Sequence, residues 1–293
     1  MFSIVYINSM IIWIASYPKS GNTWIRSLLG SYFFTKDGIF NFDVLKSIEQ
    51  FTPHIPDSIL DEKIHYQSKV SKSWIISQKK INEDNKIHFL KTHNAMCAIN
   101  GNSFTDKFNT LAAIYVVRDP RNVLTSISHH YEINQNESLE FLTNKRKIIY
   151  PIKPGSKNKS NENDFNFLSD WSTHYNSWKN IGFCPIKIIK YEDIILKNKK
   201  TFISILNFLS KFMKSNINEE KLKNALQSTS FDKLSSLEKK IGFDESVYSK
   251  NTQKKIKFFN LGKKNKWKKM LDKNIAKNIK KTFSKEMNEL GYL

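Results

Sequence analysis

An apolar run of strand length, Ile11-Ile12-Trp13-Ile14-Ala15-Ser16, leads straight into Tyr17-Pro18-Lys19-Ser20-Gly21-Asn22-Thr23-Trp24 and then into apolar residues at helical spacing, Ile25, Leu28 and Leu29. Strand, tight turn and helix in that order constrain the chain more than any other stretch of it. The turn offers consecutive backbone N–H groups at a helix N-terminus, one glycine for close approach and one lysine to neutralise charge, which are the parts of an anion site. It is not a Walker A loop. That motif needs Gly-Lys-Ser/Thr with the hydroxyl on Mg²⁺, whereas Lys19 precedes Gly21 and no Gly-Lys-Ser/Thr follows.

The rest of the chain repeats the alternation. Ile87 to Leu90, Leu111 to Val117 and Pro185 to Tyr191 read as buried strands, short and rich in β-branched or aromatic residues. Arg121 to Tyr131, Asp164 to Asn180, Asn198 to Phe212, Asn218 to Gln227 and Leu271 to Leu290 carry apolar residues at helical spacing. This predicts an α/β fold, a P-loop-like three-layer sandwich with a central parallel sheet flanked by helices, whose ligands sit at the carboxyl ends of the strands. Thr35 to Asn85 resists the scheme, and so does Lys145 to Asn163, a basic loop rich in Pro, Gly, Asn and Ser that reads as a lid. No linker divides residues 1–293, so a single domain is expected, with residues 1–10 as a non-core extension and Met10 as an alternative start.

Composition excludes several classes. With 40% hydrophobic and 13% aromatic residues, the chain can bury a core. Two cysteines, Cys97 and Cys184, make neither a disulfide scaffold nor, without histidines at ligand spacing, a zinc site, so no metal and a reducing, cytoplasmic setting are expected. No run approaches the roughly 18 apolar residues of a transmembrane helix. A net charge of +20 points to polyanions such as nucleic acid, anionic lipid or phosphorylated small molecules, although much of it is the lysine that an AT-rich genome encodes beside abundant Asn and Ile.

Further motifs stand at the strand ends. Phe89-Leu90-Lys91-Thr92-His93 ends one strand, and Val116-Val117-Arg118-Asp119-Pro120-Arg121 ends another, with Ser126 in the helix that follows. An Arg fork past a strand and a hydroxyl one or two turns into the next helix can converge on one phosphate. Lys190-Tyr191-Glu192-Asp193, Thr229-Ser230-Phe231 and Phe258-Phe259-Asn260-Leu261-Gly262-Lys263 come later. Together these segments resemble the sulfotransferases that use 3′-phosphoadenosine 5′-phosphosulfate (PAPS), over a span from about Ile11 to Tyr292.

The resemblance implies a residue-by-residue site. Lys19, Ser20, Gly21, Asn22 and Thr23 would hold the 5′-phosphosulfate, and Arg118 with Ser126 the 3′-phosphate. Trp24, Tyr191, Thr229, Ser230 and Phe231 would meet the adenosine. His93 would be the catalytic base, with Lys91 steadying the sulfuryl oxygens. Asn260, Gly262 and Lys263 fall in the last basic segment. There Asn260 and Leu261 replace the family's Arg and Lys, and Asn265 its second Gly, so Lys263 or Lys264 would have to make up charge at the 3′-phosphate. The implied reaction is sulfuryl transfer to a hydroxyl or amine of a small-molecule acceptor, with no specific nucleic-acid partner and an oligomeric state left open. A P-loop nucleotide kinase and a basic nucleic-acid or anionic-membrane binder with a degenerate nucleotide fold are the alternatives. The intact set Lys19, Lys91, His93, Arg118 and Ser126 weighs against both.

Overall fold

A computed structural model of the chain describes residues 10–151, 164–213, 216–249 and 251–293. Four parallel strands form its centre in the order β2-β1-β5-β8: β1 (Met10–Ser16), β2 (Ile87–Thr92), β5 (Thr110–Val117) and β8 (Ile186–Lys190). Two small antiparallel hairpins complete the strands, β3 (Ala98–Ile99) with β4 (Asn102–Ser103), and β6 (Ile148–Ile149) with β7 (Asn166–Phe167).

Period-two alternation along the inner strands makes two cores. Ile11, Trp13 and Ala15 of β1, with Ala113, Tyr115 and Val117 of β5, face one hydrophobic cluster. That layer holds α4 (Pro120–Tyr131), α5 (Gln135–Thr143), α6 (Trp171–Lys179), α12 (Lys273–Thr282) and α13 (Ser284–Glu289). Ile12 and Ile14, with Ala112, Ile114 and Val116, face the other cluster, built on α1 (Asn22–Phe34), α8 (Asn198–Met213), α9 (Glu219–Ser228) and α10 (Phe231–Ile241). A strand buried on both faces reads as a continuous apolar run, which is how β1 and β5 stand in the sequence.

The strand positions agree with the sequence reading, while two helices do not. The helix expected from Asp164 begins only at Trp171, where the Asp170 carboxylate accepts from Thr173 N at 2.7 Å as an N-cap. Before it, Asn166 and Phe167 pair with Ile149 and Ile148, and Ser169 takes a φ of 59°. The stretch Leu271 to Leu290 breaks at Phe283 into α12 and α13. Within Thr35 to Asn85 lie a 3₁₀ turn (Phe42–Ser47), α2 (Asp57–Leu60) and α3 (Tyr66–Ile81), with Trp74 fully buried. Of the expected lid, Lys145 to Pro151 belong to the β6 hairpin region, and residues 152–163 lie outside the described residues. The remaining short helices are α7 (Tyr191–Leu196) and α11 (Trp267–Met270). Among the described residues no helix is long and apolar enough to cross a membrane.

Candidate functional site

The carboxyl ends of β1, β2, β5 and β8 open into a cavity of about 470 Å³, within the roughly 300–1,000 Å³ of small-molecule sites. The turn after β1 forms its floor. Lys19 has a φ of 64° and Gly21 a φ of 105°, so the chain reverses in the left-handed region twice within three residues. Gly21 is obligatory: a Cβ there would run into the Tyr191 ring and would be strained besides. Asn22 ties the turn to the strand, its Nδ2 donating to Ile14 O at 2.9 Å and to Ser16 Oγ at 3.2 Å. Helix α1 begins with no side-chain cap and no acid in its first turn, which leaves its N-terminal field to anions.

Lys19 reaches into this cavity. Its ammonium lies 3.3 Å from His130 Nδ1 and 3.8 Å from the centre of the Phe258 ring. Burial lowers its pKa to about 7, and Arg118 and Lys91 add to the effect against the pull of Glu245.

Arg118 stands at the end of β5. Its Nη1 donates to Ser126 Oγ at 3.1 Å and to Lys19 O at 2.9 Å, and its guanidinium lies 4.2 Å from the centre of the Tyr191 ring. Several buried polar atoms around it have no hydrogen-bond partner: Arg118 Nε, Ser20 Oγ, Asn22 Oδ1 and Trp24 Nε1. Such orphans cost free energy unless a ligand meets them. Trp24, Tyr191 and Phe231 form one aromatic wall, Trp24 to Tyr191 at 5.8 Å and Trp24 to Phe231 at 6.4 Å. The planes of Trp24 and Phe231 meet at 59°. Gly262 packs on Phe231 so closely that a Cβ would lie 2.6 Å from the ring.

His93 follows β2 directly. Its Nδ1 lies 2.8 Å from Ser16 O, a carbonyl that can only accept, so Nδ1 carries the proton and Nε2 the lone pair. Its backbone is held from both sides: His93 N donates to Asn166 Oδ1 at 3.2 Å, and His174 Nε2 donates to His93 O at 3.0 Å. Burial, with Lys91 nearby, lowers the His93 pKa to about 3, so the ring is neutral at physiological pH. Lys91 is fixed by main-chain bonds to Glu49 and Phe51, and its ammonium lies 3.5 Å from a Glu245 carboxylate oxygen.

Thus the fold brings together Lys19, Gly21, Asn22, Thr23, Trp24, Lys91, His93, Arg118, Ser126, Tyr191, Phe231, Asn260 and Gly262 on one cavity, with Ser20 buried beneath them. Three expected residues stand elsewhere. Thr229 is buried with its hydroxyl donating to Ala225 O at 2.7 Å, and Ser230 begins α10, neither lining the cavity. Lys263 is exposed, as is Lys264, because the 3₁₀ turn Gly262–Lys264 directs both to solvent. It is Asn265 that reaches Ser126, its Nδ2 3.5 Å from Ser126 Oγ while its Oδ1 accepts from Thr125 Oγ1 at 2.7 Å.

Three cavity residues lie outside the expected site. Glu245, on the segment after α10, accepts from Thr23 Oγ1 at 2.8 Å and pairs with Arg26. His130, one of a histidine pair with no metal-ligand spacing, holds Lys19. Asn265 marks its place only as a departure from the family pattern.

The chain matches the Sulfotransferase domain family over residues 10–291. It is 24% identical over 233 residues to luciferin sulfotransferase of Photinus pyralis, a match covering 75% of this chain and 55% of that protein. Its fold is similar to that of mouse sulfotransferase SULT7A1 complexed with PAP, at a TM-score of 0.56 and 18% identity over 95% of this chain and 84% of that one. It is also similar to retinol dehydratase in a complex with retinol and PAP, at a TM-score of 0.57 and 16% identity over 94% and 81% of the two chains. With a family match over nearly its whole length and a four-stranded parallel sheet whose strand ends open into one cavity, the chain belongs to the sulfotransferase domain family.

Proposed function

We propose that this chain is a PAPS-dependent sulfotransferase acting on a hydroxyl or amine of a small molecule, with His93 as general base. The observation that carries the reading is the convergence of Lys19, Lys91, His93 and the Arg118–Ser126 pair, from the ends of three strands, on one cavity. The buried polar atoms without partners fit an anionic nucleotide: Ser20 Oγ lies in the turn that would take the 5′-phosphosulfate, and Arg118 Nε in the arm that would take the 3′-phosphate. When bound, PAPS supplies the sulfuryl group to the acceptor and leaves as adenosine 3′,5′-bisphosphate.

Each residue has a definable task. Lys19 and the α1 amides neutralise charge at the 5′ end. Trp24, Tyr191 and Phe231 shield the adenosine from water. The Ser16 carbonyl fixes the His93 tautomer, which leaves Nε2 free to take the acceptor proton without first losing one. Tyr131, Ile149, Tyr150, Pro151 and Val247 give the cavity an apolar region beside His93, Gln50 and Asn166, which supports an acceptor with an apolar body and one polar nucleophile. The fold neighbours hold acceptor-sized apolar molecules, retinol in one complex and androsterone in another.

Calorimetric titration with adenosine 3′,5′-bisphosphate and with AMP tests the reading. Loss of a charge-assisted phosphate contact typically costs about 1.5–3 kcal/mol, so the bisphosphate is expected to bind at least about tenfold tighter. Equal affinities overturn the assignment.

A further inference from the structure

Glu245 lies on the segment between α10 and the 3₁₀ turn, and its carboxylate sits among groups that serve the donor in the reading above. One oxygen accepts from Thr23 Oγ1 at 2.8 Å; the other pairs with Arg26 Nη1 and lies 3.5 Å from Lys91 Nζ. A planar anion whose oxygens are divided among a turn hydroxyl and two cations is what a phosphate or sulfonate edge would present there. Arg26 is aimed at this point by the core. Its Nε donates to Ile48 O at 2.8 Å and its Nη2 to Leu45 O at 3.0 Å, which leaves Nη1 for the Glu245 carboxylate. Burial alone would raise the Glu245 pKa, but Lys91, Arg26 and the Thr23 hydroxyl outweigh it and hold the carboxyl well below the usual range.

We propose that Glu245, held from behind by the buried Arg26, is a built-in anion of the donor site, which keeps Thr23 and Lys91 in their binding positions and gives up those two contacts to the anionic oxygens of the donor. The inference rests on the PAPS reading. Two anions cannot share one hydroxyl and one ammonium at such distances without strong repulsion, so the carboxylate must swing aside. The backbone around it is pinned: Ser246 Oγ donates to Glu238 Oε1 at 2.9 Å, Glu238 also accepts from Phe258 N and Phe259 N, and Ile256 N donates to Val247 O at 2.7 Å. The exchange is therefore a side-chain rotation, not the opening of the segment. Two consequences follow for the site. The cations stay compensated when no donor is present, and the returning carboxylate competes with the nucleotide and so speeds its exit.

Glu245→Gln keeps the shape and removes the competing charge. Binding of PAPS and of adenosine 3′,5′-bisphosphate, without acceptor, is measured by calorimetry, beside thermal melting of each protein alone and with nucleotide. The variant is expected to bind PAPS tighter than the parent by on the order of tenfold. Alone it should melt lower, because Arg26 and Lys91 lose their counter-charge, and added bisphosphate should recover the deficit. Should Glu245→Gln fail to fold, Glu245→Asp, which draws the charge back by one methylene, is expected to give the same tightening at roughly threefold. If the parent binds bisphosphate and the folded variants bind PAPS no tighter, Glu245 is only a structural partner of Arg26 and the inference fails alone. If the parent does not bind bisphosphate, the donor reading fails and the inference with it.

Discussion

Raising the pH from about 6 to about 8 should weaken the binding of adenosine 3′,5′-bisphosphate through Lys19. Burial of its ammonium, with Arg118 and Lys91 close by, lowers its pKa to about 7. The charged fraction then falls from roughly nine-tenths to roughly one-tenth across those two pH units, and if only the charged lysine binds, affinity falls about tenfold, or about 1.4 kcal/mol. The nucleotide opposes this, because the second phosphate ionisation near pH 6 adds negative charge over the same interval. Lys19→Arg separates the two, since a guanidinium keeps its charge throughout and reports the nucleotide alone. Calorimetry in two buffers of different ionisation enthalpy counts protons directly. Near pH 8 the parent should take up most of one proton per nucleotide bound, and Lys19→Arg none. The sign is fixed: an anion favours the charged lysine, so binding draws a proton in. Identical pH profiles and equal proton counts for the two proteins would refute the argument and place Lys19 away from the nucleotide's charge.

Other expectations come from single contacts. If the imidazole acts on the acceptor as proposed, His93→Ala should lower kcat by about 10²–10⁴ while bisphosphate affinity, read by calorimetry, stays within a few-fold. Gly21→Ala should destabilise the protein by roughly 2–4 kcal/mol in denaturant unfolding, combining the left-handed backbone penalty with the clash against Tyr191. Asn265→Ala should weaken bisphosphate binding severalfold by releasing Thr125 and Ser126, whereas Lys263→Ala with Lys264→Ala should leave it within about twofold. Asp164 is buried, and burial raises its pKa to about 7 despite its bonds from Phe165 N and Thr52. Its folded-state pKa lies above the unfolded value, so the protein should lose stability as pH rises from about 4 to 7; Asp164→Asn should remove that slope and raise the melting temperature at pH 8 by an amount worth roughly 1–3 kcal/mol.

The sequence by itself determined what depends on neighbours along the chain. Residues Ile11 to Thr23 are contiguous, so the strand, the reversal at Lys19 and Gly21 and the opening turn of α1 can be read in order. Arg118 and Ser126 are eight residues apart on one strand-to-helix unit, and their contact needs only local geometry. The continuous apolar runs of β1 and β5 announce burial on both faces. Helix ends were less legible, because Asn166 and Phe167 follow a helical spacing yet pair with Ile148 and Ile149 across a hairpin.

Tertiary structure alone decided the rest. The order β2-β1-β5-β8 sets His93 beside Ser16, 77 residues apart, and so chooses the tautomer of its imidazole. Lys19 meets His130 across 111 residues, and Thr23 meets Glu245 across 222. No periodicity or spacing encodes such pairs, since they follow from which strand ends the sheet makes adjacent and which later segment folds back over them. The pKa values depend on the same convergence: Lys19, Lys91 and His93 are ordinary titrating residues in the sequence, and only their common burial at the head of one sheet removes the water that would have held them to their usual values.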